Sequence, residues 1–293
     1  MHCYNDTVLV TIIGLGLIGG SIGLALRQGK KYGWEIVGYS RRQETVANAL
    51  SLSAIERGET NLKDAVKQAD FVIIATPVLT VKEIFFEIAP HLPSACIVTD
   101  TASTKVQVMK WAEEILPPTV DFIGGHPMAG RETYGIQAAK ADLFRGCTYC
   151  LASSEKVSPK SIDTVTGMVK KLGAIPFFID AQEHDNLVAG ISHLPMLLSA
   201  ALVSLTTKNP SWSKMSKLAA SGYHDLSRLA SGSPEVNAHI CLSNKEDIVN
   251  WIDKFSKELE RYRQLVAEGD KRLEQTFTEA NKARQEWLNN LVA

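Results

Sequence analysis

Short apolar runs alternate with helical segments along the first half of this chain of 293 residues, and this alternation constrains the fold most strongly. Continuous apolar strands separated by helices are typical of a parallel sheet that helices cover on both faces. The sequence therefore predicts an α/β fold. The predicted strands are VLVTIIG (8–14), WEIVGYS (34–40), FVIIATP (71–77), CIVTD (96–100) and DFIGG (121–125), then TYCLAS (148–153) and IPFFID (175–180) on either side of a helix near 160–172.

The glycine-rich word GLGLIG directly follows the first predicted strand and opens a helix. In that context the first glycine makes a tight turn, the second admits a pyrophosphate, and the third lets the helix pack on the strand. Free amides at the helix N-terminus meet the negative charge. The alternative is a glycine-rich turn that binds nothing. The predicted cofactor-binding residues here are Gly14, Leu15, Gly16, Leu17, Ile18 and Gly19, with Thr76 and Pro77 after the third strand.

The end of the second strand bears on which dinucleotide binds. An NAD site usually has a carboxylate there for the ribose hydroxyls. This chain instead has Ser40, Arg41 and Arg42, whose hydroxyl and guanidinium groups can hydrogen-bond a 2′-phosphate. We therefore predict NADP as the cofactor, with NAD as the alternative. Adjacent arginines at a strand end can also be ordinary solvated surface.

From Ala181 onward the spacing is helical, with almost no strand signal. Ile248, Ile252, Phe255, Leu259 and Tyr262 follow at steps of four and three, which is an amphipathic stripe. We predict a Rossmann-like dinucleotide-binding domain over 1–180 and an all-helical domain over 181–293.

Composition narrows the environment and the partners. A hydrophobic content of 45% and a formal net charge of −1 do not favour nucleic acid or an anionic membrane surface. No uninterrupted apolar run approaches the roughly 20 residues of a membrane span, and MHCYNDTVLVTIIG lacks signal-peptide features. We therefore expect a cytoplasmic protein. Cys147 and Cys150 form a CxxC word, but they fall in a predicted strand without a second zinc half-site, so we expect a structural role and no metal.

One histidine stands out in FIGGHPMAGRE (122–132), where His126 lies between a glycine pair and Pro127 after a predicted strand. The carboxyl ends of strands in open α/β sheets carry the chemistry, and we expect the small glycines to leave room for a ligand beside the ring. A tight turn with an incidental surface histidine is the alternative. Ser103 follows another strand in VTDTASTK, and Arg228 in SGYHDLSR could bind a carboxylate or form a structural ion pair.

Five words in this order, GLGLIGGS, TDTASTK, GGHPMAG, EHDNLVAGISHLP and SGYHDLSR, resemble the prephenate and arogenate dehydrogenases of tyrosine biosynthesis over nearly the whole chain. The resemblance implies a helical domain that forms a homodimer, with the active site between domains. It implies that His126 is catalytic, that Ser103 orients His126 and the substrate hydroxyl, and that Arg228 binds the ring carboxylate. The reaction would transfer a hydride to the nicotinamide while carbon dioxide leaves the ring.

Departures from the family pattern bear on the substrate. Met196 replaces the last histidine of SHLPH, His224 stands where a lysine or arginine is frequent, and Arg131 with Glu132 follows HPMAG. Fewer positive groups favour arogenate over prephenate, although Arg131 argues the other way if it points inward. These four residues are the remaining predicted substrate contacts.

Two further histidines, His184 and His193, are nine residues apart and would point about 180° apart on one regular helix. We therefore expect them not to share a site: His184 would cap a helix or contact the other domain, and His193, before the helix-kinking Pro195, would be structural or support the site. Two other functions stay open: another dehydrogenase, such as a β-hydroxyacid dehydrogenase or an imine reductase, and a dinucleotide-sensing protein without turnover. The sequence ends at Ala293, so we expect no ligand-sensing extension; inhibition by tyrosine at the active site is left open.

Overall fold

A computed structural model describes residues 8–28, 33–130 and 133–292 of the chain. The chain divides into two compact units, Met1–Lys245 and Glu246–Ala293. The domain boundary predicted at residue 180 stays a prediction about how the chain is organised for function.

The first unit is built on one eight-stranded sheet with the order β3-β2-β1-β4-β5-β6-β7-β8. All neighbouring strands are parallel except β7, which runs antiparallel to β6. The predicted α/β fold with a Rossmann-like sheet is therefore confirmed. The strands are β1 Val8–Ile13, β2 Trp34–Tyr39, β3 Arg57–Glu59, β4 Phe71–Ile74, β5 Ile97–Asp100, β6 Asp121–Pro127, β7 Thr148–Ser153 and β8 Ile175–Phe178.

The strands are apolar on both sides because helices cover both faces of the sheet. Ile73 and Ile74 are neighbours in β4 but belong to two different core clusters, since successive strand residues point to opposite faces. The helices of this unit are α1 Leu17–Gln28, α2 Gln43–Ser51, α3 Leu62–Val66, α4 Val81–Ile88, α5 Val106–Ile115, α6 Pro159–Lys171, α7 Ala181–Val188, α8 Leu194–Thr207, α9 Trp212–Leu218, α10 Ser221–Ser227 and α11 Pro234–Ser243.

Helices α7 and α8 form one continuous helical stretch that a π-helical turn, Ala189–His193, interrupts. Pro195 is the second residue of α8. Because proline has no N–H to donate and disturbs the turn before it, it accounts for the π turn at this point of the helix, where the sequence predicts a kink. The whole stretch, Ala181–Thr207, is by length and composition alone long and apolar enough to cross a membrane. No such segment is predicted from the sequence, and core helices of soluble proteins meet the same criteria.

The second unit consists mainly of two helices, α12 Lys245–Ala267 and α13 Arg272–Val292. They contact each other through the Tyr262 and Phe277 rings, whose centroids are 5.8 Å apart. The amphipathic stripe predicted on α12 is helical, but Ile252, Phe255 and Leu259 remain exposed within one copy of the chain.

Candidate active site

The loop between β1 and α1 has the geometry that a dinucleotide needs. Gly14 has a φ of +100° and lies so close to the Ala75 carbonyl that a Cβ would come within 2.6 Å of its oxygen. At Gly19 a Cβ would lie 2.0 Å from the Gly14 carbonyl oxygen, whereas at Gly16 it would meet nothing within 4 Å. The first and third glycines thus allow tight packing, and the second faces open space at the start of a helix, where a pyrophosphate fits.

The neighbouring strand end completes this pocket. Thr76 lies against the glycine loop, with its Cγ2 2.7 Å from the position of a Gly14 Cβ, and its hydroxyl accepts a hydrogen bond of 2.9 Å from Thr80. Pro77 follows, half-buried. Leu15 and Leu17 are buried, so only their backbone is available to a ligand, and Ile18 is partly buried.

The predicted phosphate-binding residues lie at the carboxyl end of β2. Ser40 is half-buried and its hydroxyl accepts a hydrogen bond of 3.3 Å from the Arg42 amide. Both Arg41 and Arg42 are exposed, and no described acidic side chain forms an ion pair with either of them. Their guanidinium groups are therefore available to an anion.

A buried ion pair supports the strand that carries the candidate catalytic histidine. The Lys105 ammonium, fully buried, contacts the Asp100 carboxylate and donates to the Gly125 carbonyl oxygen at 2.7 Å. Asp100 in turn accepts from the Gly125 amide at 2.9 Å. This network joins the end of β5 to β6.

The glycine pair before His126 has a different role from the predicted one. A Cβ on Gly125 would lie 2.5 Å from the Asp100 carbonyl oxygen, and one on Gly124 would lie 3.2 Å from the Lys105 side chain. The pair therefore makes room for buried protein atoms and not for a ligand. The interpretation of His126 as part of a tight turn was also wrong, because β6 continues through Pro127 and pairs His126 with Cys150.

His126 is 7% exposed, and its ring contacts a second histidine. His126 Nδ1 and His184 Nε2 are 2.9 Å apart, and the two rings meet edge-on with centroids 5.1 Å apart. His184 Nδ1 lies 2.7 Å from Asp185 Oδ1. Among the described residues, His126 Nδ1 thus forms a hydrogen bond with His184, and the role of Ser103 in orienting His126 stays a prediction.

Asp185 joins helix α7 to the start of α5. Its carboxylate accepts hydrogen bonds from the Lys105 amide at 2.7 Å and the Val106 amide at 2.9 Å. Its carbonyl oxygen accepts from the Asn244 side chain at 2.8 Å. Asp185 is buried, and these three hydrogen bonds fix both its carboxylate and its backbone.

His193 belongs to the same buried cluster, against the expectation that it and His184 could not share a site. That expectation assumed a regular helix, but the π turn between the two residues winds the chain more slowly and brings both side chains inward. His193 Nδ1 lies 3.4 Å from the side-chain nitrogen Nδ2 of Asn244, and the Ser103 backbone is close to the His193 ring. Its Nε2 is buried without a hydrogen-bond partner among the described residues.

Two imidazoles of this cluster, those of His126 and His193, are kept neutral by their surroundings. Burial lowers the pKa of His126 well below its usual value, and the nearby His184, Lys105 and His193 lower it further. Burial likewise lowers the pKa of His193 to about 4. A neutral imidazole in contact with a substrate hydroxyl can accept its proton.

The remaining predicted site residues lie on the helices that follow the π turn. Met196 is half-buried on α8, and His224 is exposed on α10. Arg228 is exposed at the start of a 3₁₀ turn, Arg228–Ser231, which packs against α8 and donates the Ala230 amide to Ser199 at 2.9 Å. Ser103 is half-buried on the loop after β5. Two predicted contacts, Arg131 and Glu132, lie outside the described residues.

The CxxC word lies where a strand was predicted. Cys147 immediately precedes β7 and Cys150 lies within it, and both are free thiols. Burial raises the pKa of each thiol. The described ranges contain no group of three or more histidine, cysteine or acidic side chains placed to hold a metal ion.

Comparison with known proteins assigns this arrangement to a family. Residues 22–176 match the family described as "Prephenate dehydrogenase, nucleotide-binding domain", and residues 180–279 match "Prephenate dehydrogenase, dimerization domain". The chain is 34% identical over 272 residues to the prephenate dehydrogenase of Bacillus subtilis, covering 92% of this chain and 72% of that protein.

Two solved structures are similar over almost their whole length. Prephenate dehydrogenase from Aquifex aeolicus, in complex with hydroxyphenyl propionate and NAD⁺, is 29% identical with a TM-score of 0.88 and covers 96% of this chain and 98% of its own. Arogenate dehydrogenase from Synechocystis is 28% identical with a TM-score of 0.79 and covers 96% and 100%. The matches support a nicotinamide dinucleotide as the cofactor, and the chain belongs to the prephenate and arogenate dehydrogenase family.

Proposed function

We propose that this dehydrogenase oxidises and decarboxylates arogenate with NADP as the hydride acceptor. The observation that carries the chemistry is the neutral, buried His126 beside His184. The family match supports a cyclohexadienyl substrate, which carries a ring carboxylate at one end and a hydroxyl at the other.

His126 acts as the general base in this proposal. The hydroxyl proton moves to its Nε2 as the carbinol carbon loses a hydride. Carbon dioxide then leaves the opposite ring carbon, its electron pair completes the aromatic ring, and the proton returns from Nε2 to the oxygen, so that a phenol forms. When bound, the dinucleotide supplies the hydride acceptor. Aromatisation drives the reaction, so alignment and removal of the hydroxyl proton are what the protein needs to contribute.

Arg228 binds the ring carboxylate in this proposal. Its turn packs against α8, which begins one residue after His193, so the turn is tied to the helix that leaves the histidine cluster. Met196, on the first turn of α8, has no hydrogen-bond donor and no positive charge, which favours arogenate because its side chain already carries an ammonium group. Ser103, His224, Arg131 and Glu132 are proposed as further contacts on the strength of the resemblance.

NADP is favoured by the electrostatics of the β2 end. Arg41 and Arg42 are exposed and without an acidic partner among the described side chains, and Ser40 can add a hydroxyl hydrogen bond. The 2′-phosphate lies far from the transferred hydride, so these contacts act equally in the ground and transition states and lower KM more than they raise kcat.

Prephenate with NAD is the second candidate. It is favoured by the similarity to the Bacillus subtilis prephenate dehydrogenase and to the Aquifex aeolicus enzyme in complex with NAD⁺. Both candidates use the same histidine and the same ring-carboxylate anchor, so they differ only in the side-chain and 2′-phosphate contacts.

We further propose that the helical region pairs two copies of the chain into a homodimer. The dimerization-domain match over residues 180–279 supports this. So do large apolar side chains that stay exposed in one copy, including Leu205, Leu218, Leu226, Phe277 and Trp287, because a soluble monomer rarely exposes so many.

Steady-state assays with arogenate and prephenate, each with NAD and NADP, test the assignment. We expect the highest kcat/KM with arogenate and NADP. The variant Arg41→Ala/Arg42→Ala should raise KM for NADP by about 10-fold or more, because two charged hydrogen bonds are lost, and leave NAD almost unchanged.

The matched control is Lys160→Ala/Lys170→Ala, which removes two exposed positive charges from α6 and should leave both cofactors unaffected. Equal or better kcat/KM with NAD in the wild type would overturn the NADP assignment. A higher kcat/KM with prephenate would replace arogenate as the substrate.

A further inference from the structure

Four hydrogen bonds link the candidate base to the start of helix α5. His126 Nδ1 meets His184 Nε2 at 2.9 Å, and His184 Nδ1 meets Asp185 Oδ1 at 2.7 Å. Asp185 then accepts the backbone amides of Lys105 and Val106 at 2.7 and 2.9 Å. The two histidines and the aspartate are all buried, so water does not compete with these contacts.

The positions of the protons follow from the backbone end of this series. Each Asp185 carboxylate oxygen accepts a backbone N–H, which an ionised carboxylate does well because it only accepts hydrogen bonds. The proton between Asp185 and His184 must then be on His184 Nδ1. In a neutral imidazole the other nitrogen is an acceptor, so His184 Nε2 accepts and His126 Nδ1 donates. The lone pair of His126 is left on Nε2.

We propose that His184 and Asp185 are positioning residues that fix His126 in the Nδ1–H tautomer and so present Nε2 as the base. The inference rests on the proposed function only in giving His126 the role of base; the hydrogen-bond order stands without it. No hydrogen bond among the described residues uses His126 Nε2, so this atom is available to a substrate hydroxyl.

The charged groups around the two histidines are the Lys105 ammonium and the carboxylates of Asp100 and Asp185. The Lys105 ammonium lies near His126 but is engaged by Asp100 and Gly125, and His193 lies on the π turn of the same helical stretch. Burial, with the nearby Lys105 ammonium, favours the neutral form of His126, in which one ring nitrogen carries a proton and the other a lone pair. Histidine tautomers are set by the hydrogen bond that the other ring nitrogen makes, and here that bond is made by protein alone.

Asp185 also makes the tautomer depend on how α7 contacts α5. The same carboxylate oxygen that accepts from His184 accepts the Lys105 amide, at the N-terminus of α5. Asparagine at this position would bring an NH₂ group to one of these contacts. If that group donates to His184 Nδ1, His184 becomes protonated on Nε2 and forces His126 to carry its proton on Nε2. In the Ser-His-Asp triad an equivalent change of tautomer lowers kcat about 10⁴-fold.

The test combines ¹⁵N NMR of the imidazole nitrogens with turnover. In the wild type we expect His126 to show a protonated Nδ1 and an unprotonated Nε2, with His126→Asn used to assign its signals. Asp185→Asn should reverse the two nitrogens and lower kcat by about 10²-fold or more, with KM for the cofactor within about threefold.

A pair of variants at His184 keeps the proposal testable if Asp185→Asn does not fold. The side-chain oxygen of glutamine can take the place of His184 Nε2 as acceptor, so His184→Gln should retain the Nδ1–H tautomer and most of the activity. His184→Leu removes the acceptor and should lose both. Asp180→Asn is the matched control, because the Asp180 side chain caps the same helix α7 through the Gln182 and Glu183 amides and forms no hydrogen bond with a histidine ring among the described residues.

A wild-type His126 that is protonated on Nε2 would overturn the proposal, as would unchanged tautomer and kcat in folded His184→Leu. Failure of the proposed function gives a different result: His126→Asn would then keep wild-type turnover, whatever the tautomers are. Loss of activity in Asp180→Asn equal to that in Asp185→Asn would show that only the stability of α7 is at stake.

Discussion

A single methyl group, added either at Gly16 or at Gly19, tests the two roles of the glycine loop separately. At Gly16 a Cβ would meet no protein atom within 4 Å, whereas at Gly19 it would lie 2.0 Å from the Gly14 carbonyl oxygen and 3.1 Å from the Ile12 side chain. We therefore predict that Gly16→Ala impairs cofactor binding and spares the fold, and that Gly19→Ala destabilises the fold.

The size of each effect follows from these distances. Real Cβ atoms do not approach another heavy atom within 3.0 Å, so Gly19→Ala must move α1 away from β1 by about 1 Å, an overpacking cost of about 3 kcal/mol. In a unit of this size that lowers Tm by about 6–12 °C. Gly16→Ala should change stability by less than about 0.5 kcal/mol, but a methyl group in the space left for the pyrophosphate should weaken dinucleotide binding at least about 10-fold, or 1.4 kcal/mol.

The assay needs no substrate. Thermal unfolding is followed without cofactor, and NADPH or NADH binding is measured by calorimetry on the folded variants. Wild-type dinucleotide affinity in Gly16→Ala would refute the placement of the pyrophosphate at this loop. Wild-type Tm in Gly19→Ala would refute the packing argument.

Two other predictions concern charge. Arg228→Ala should lower kcat/KM by about 2–4 kcal/mol with arogenate and with prephenate alike, measured by steady-state kinetics, because both substrates carry the ring carboxylate; a defect confined to the cofactor would place this arginine elsewhere. Because the pKa of His193 is lowered to about 4 from about 6.5 in the unfolded chain, the unfolded state binds more protons between these pH values. Stability should therefore fall as pH drops from about 6.5 towards 4, by up to about 1.4 kcal/mol per pH unit, and a folded His193→Gln variant should show a flatter dependence of Tm on pH; an equal slope in both would contradict this.

The fold was predictable where local chemistry decides it. Buried strands such as FVII are apolar on both faces. The glycine loop was recognised from glycines directly after a strand, although the contacts that require Gly14 are with Ala75 and Thr76, far away in the sequence. Strand β3 escaped prediction because its RGE sequence has no apolar side chain. The antiparallel direction of β7 could not be predicted either, because the pattern of apolar residues in a buried strand is the same whichever way the strand runs.

The site was predictable only in part because its contacts are long-range. The words GGHP and EHD were both recognised, yet nothing in either shows that His126 and His184, 58 residues apart, share a hydrogen bond. The prediction that His184 and His193 do not share a site assumed a regular helix, and the π turn before Pro195 changes the directions of these side chains. The hydrogen-bond partner of His126 Nδ1 is His184 on α7, whose position depends on tertiary packing.

The most direct test of the central claim is the turnover of His126→Asn. Asparagine keeps a polar group near Nδ1 but removes the Nε2 base, so the account predicts that kcat falls by about 10²-fold or more while dinucleotide affinity stays within about twofold of the wild type. A His126→Asn enzyme that turns over like the wild type would contradict the account and remove this histidine from the mechanism.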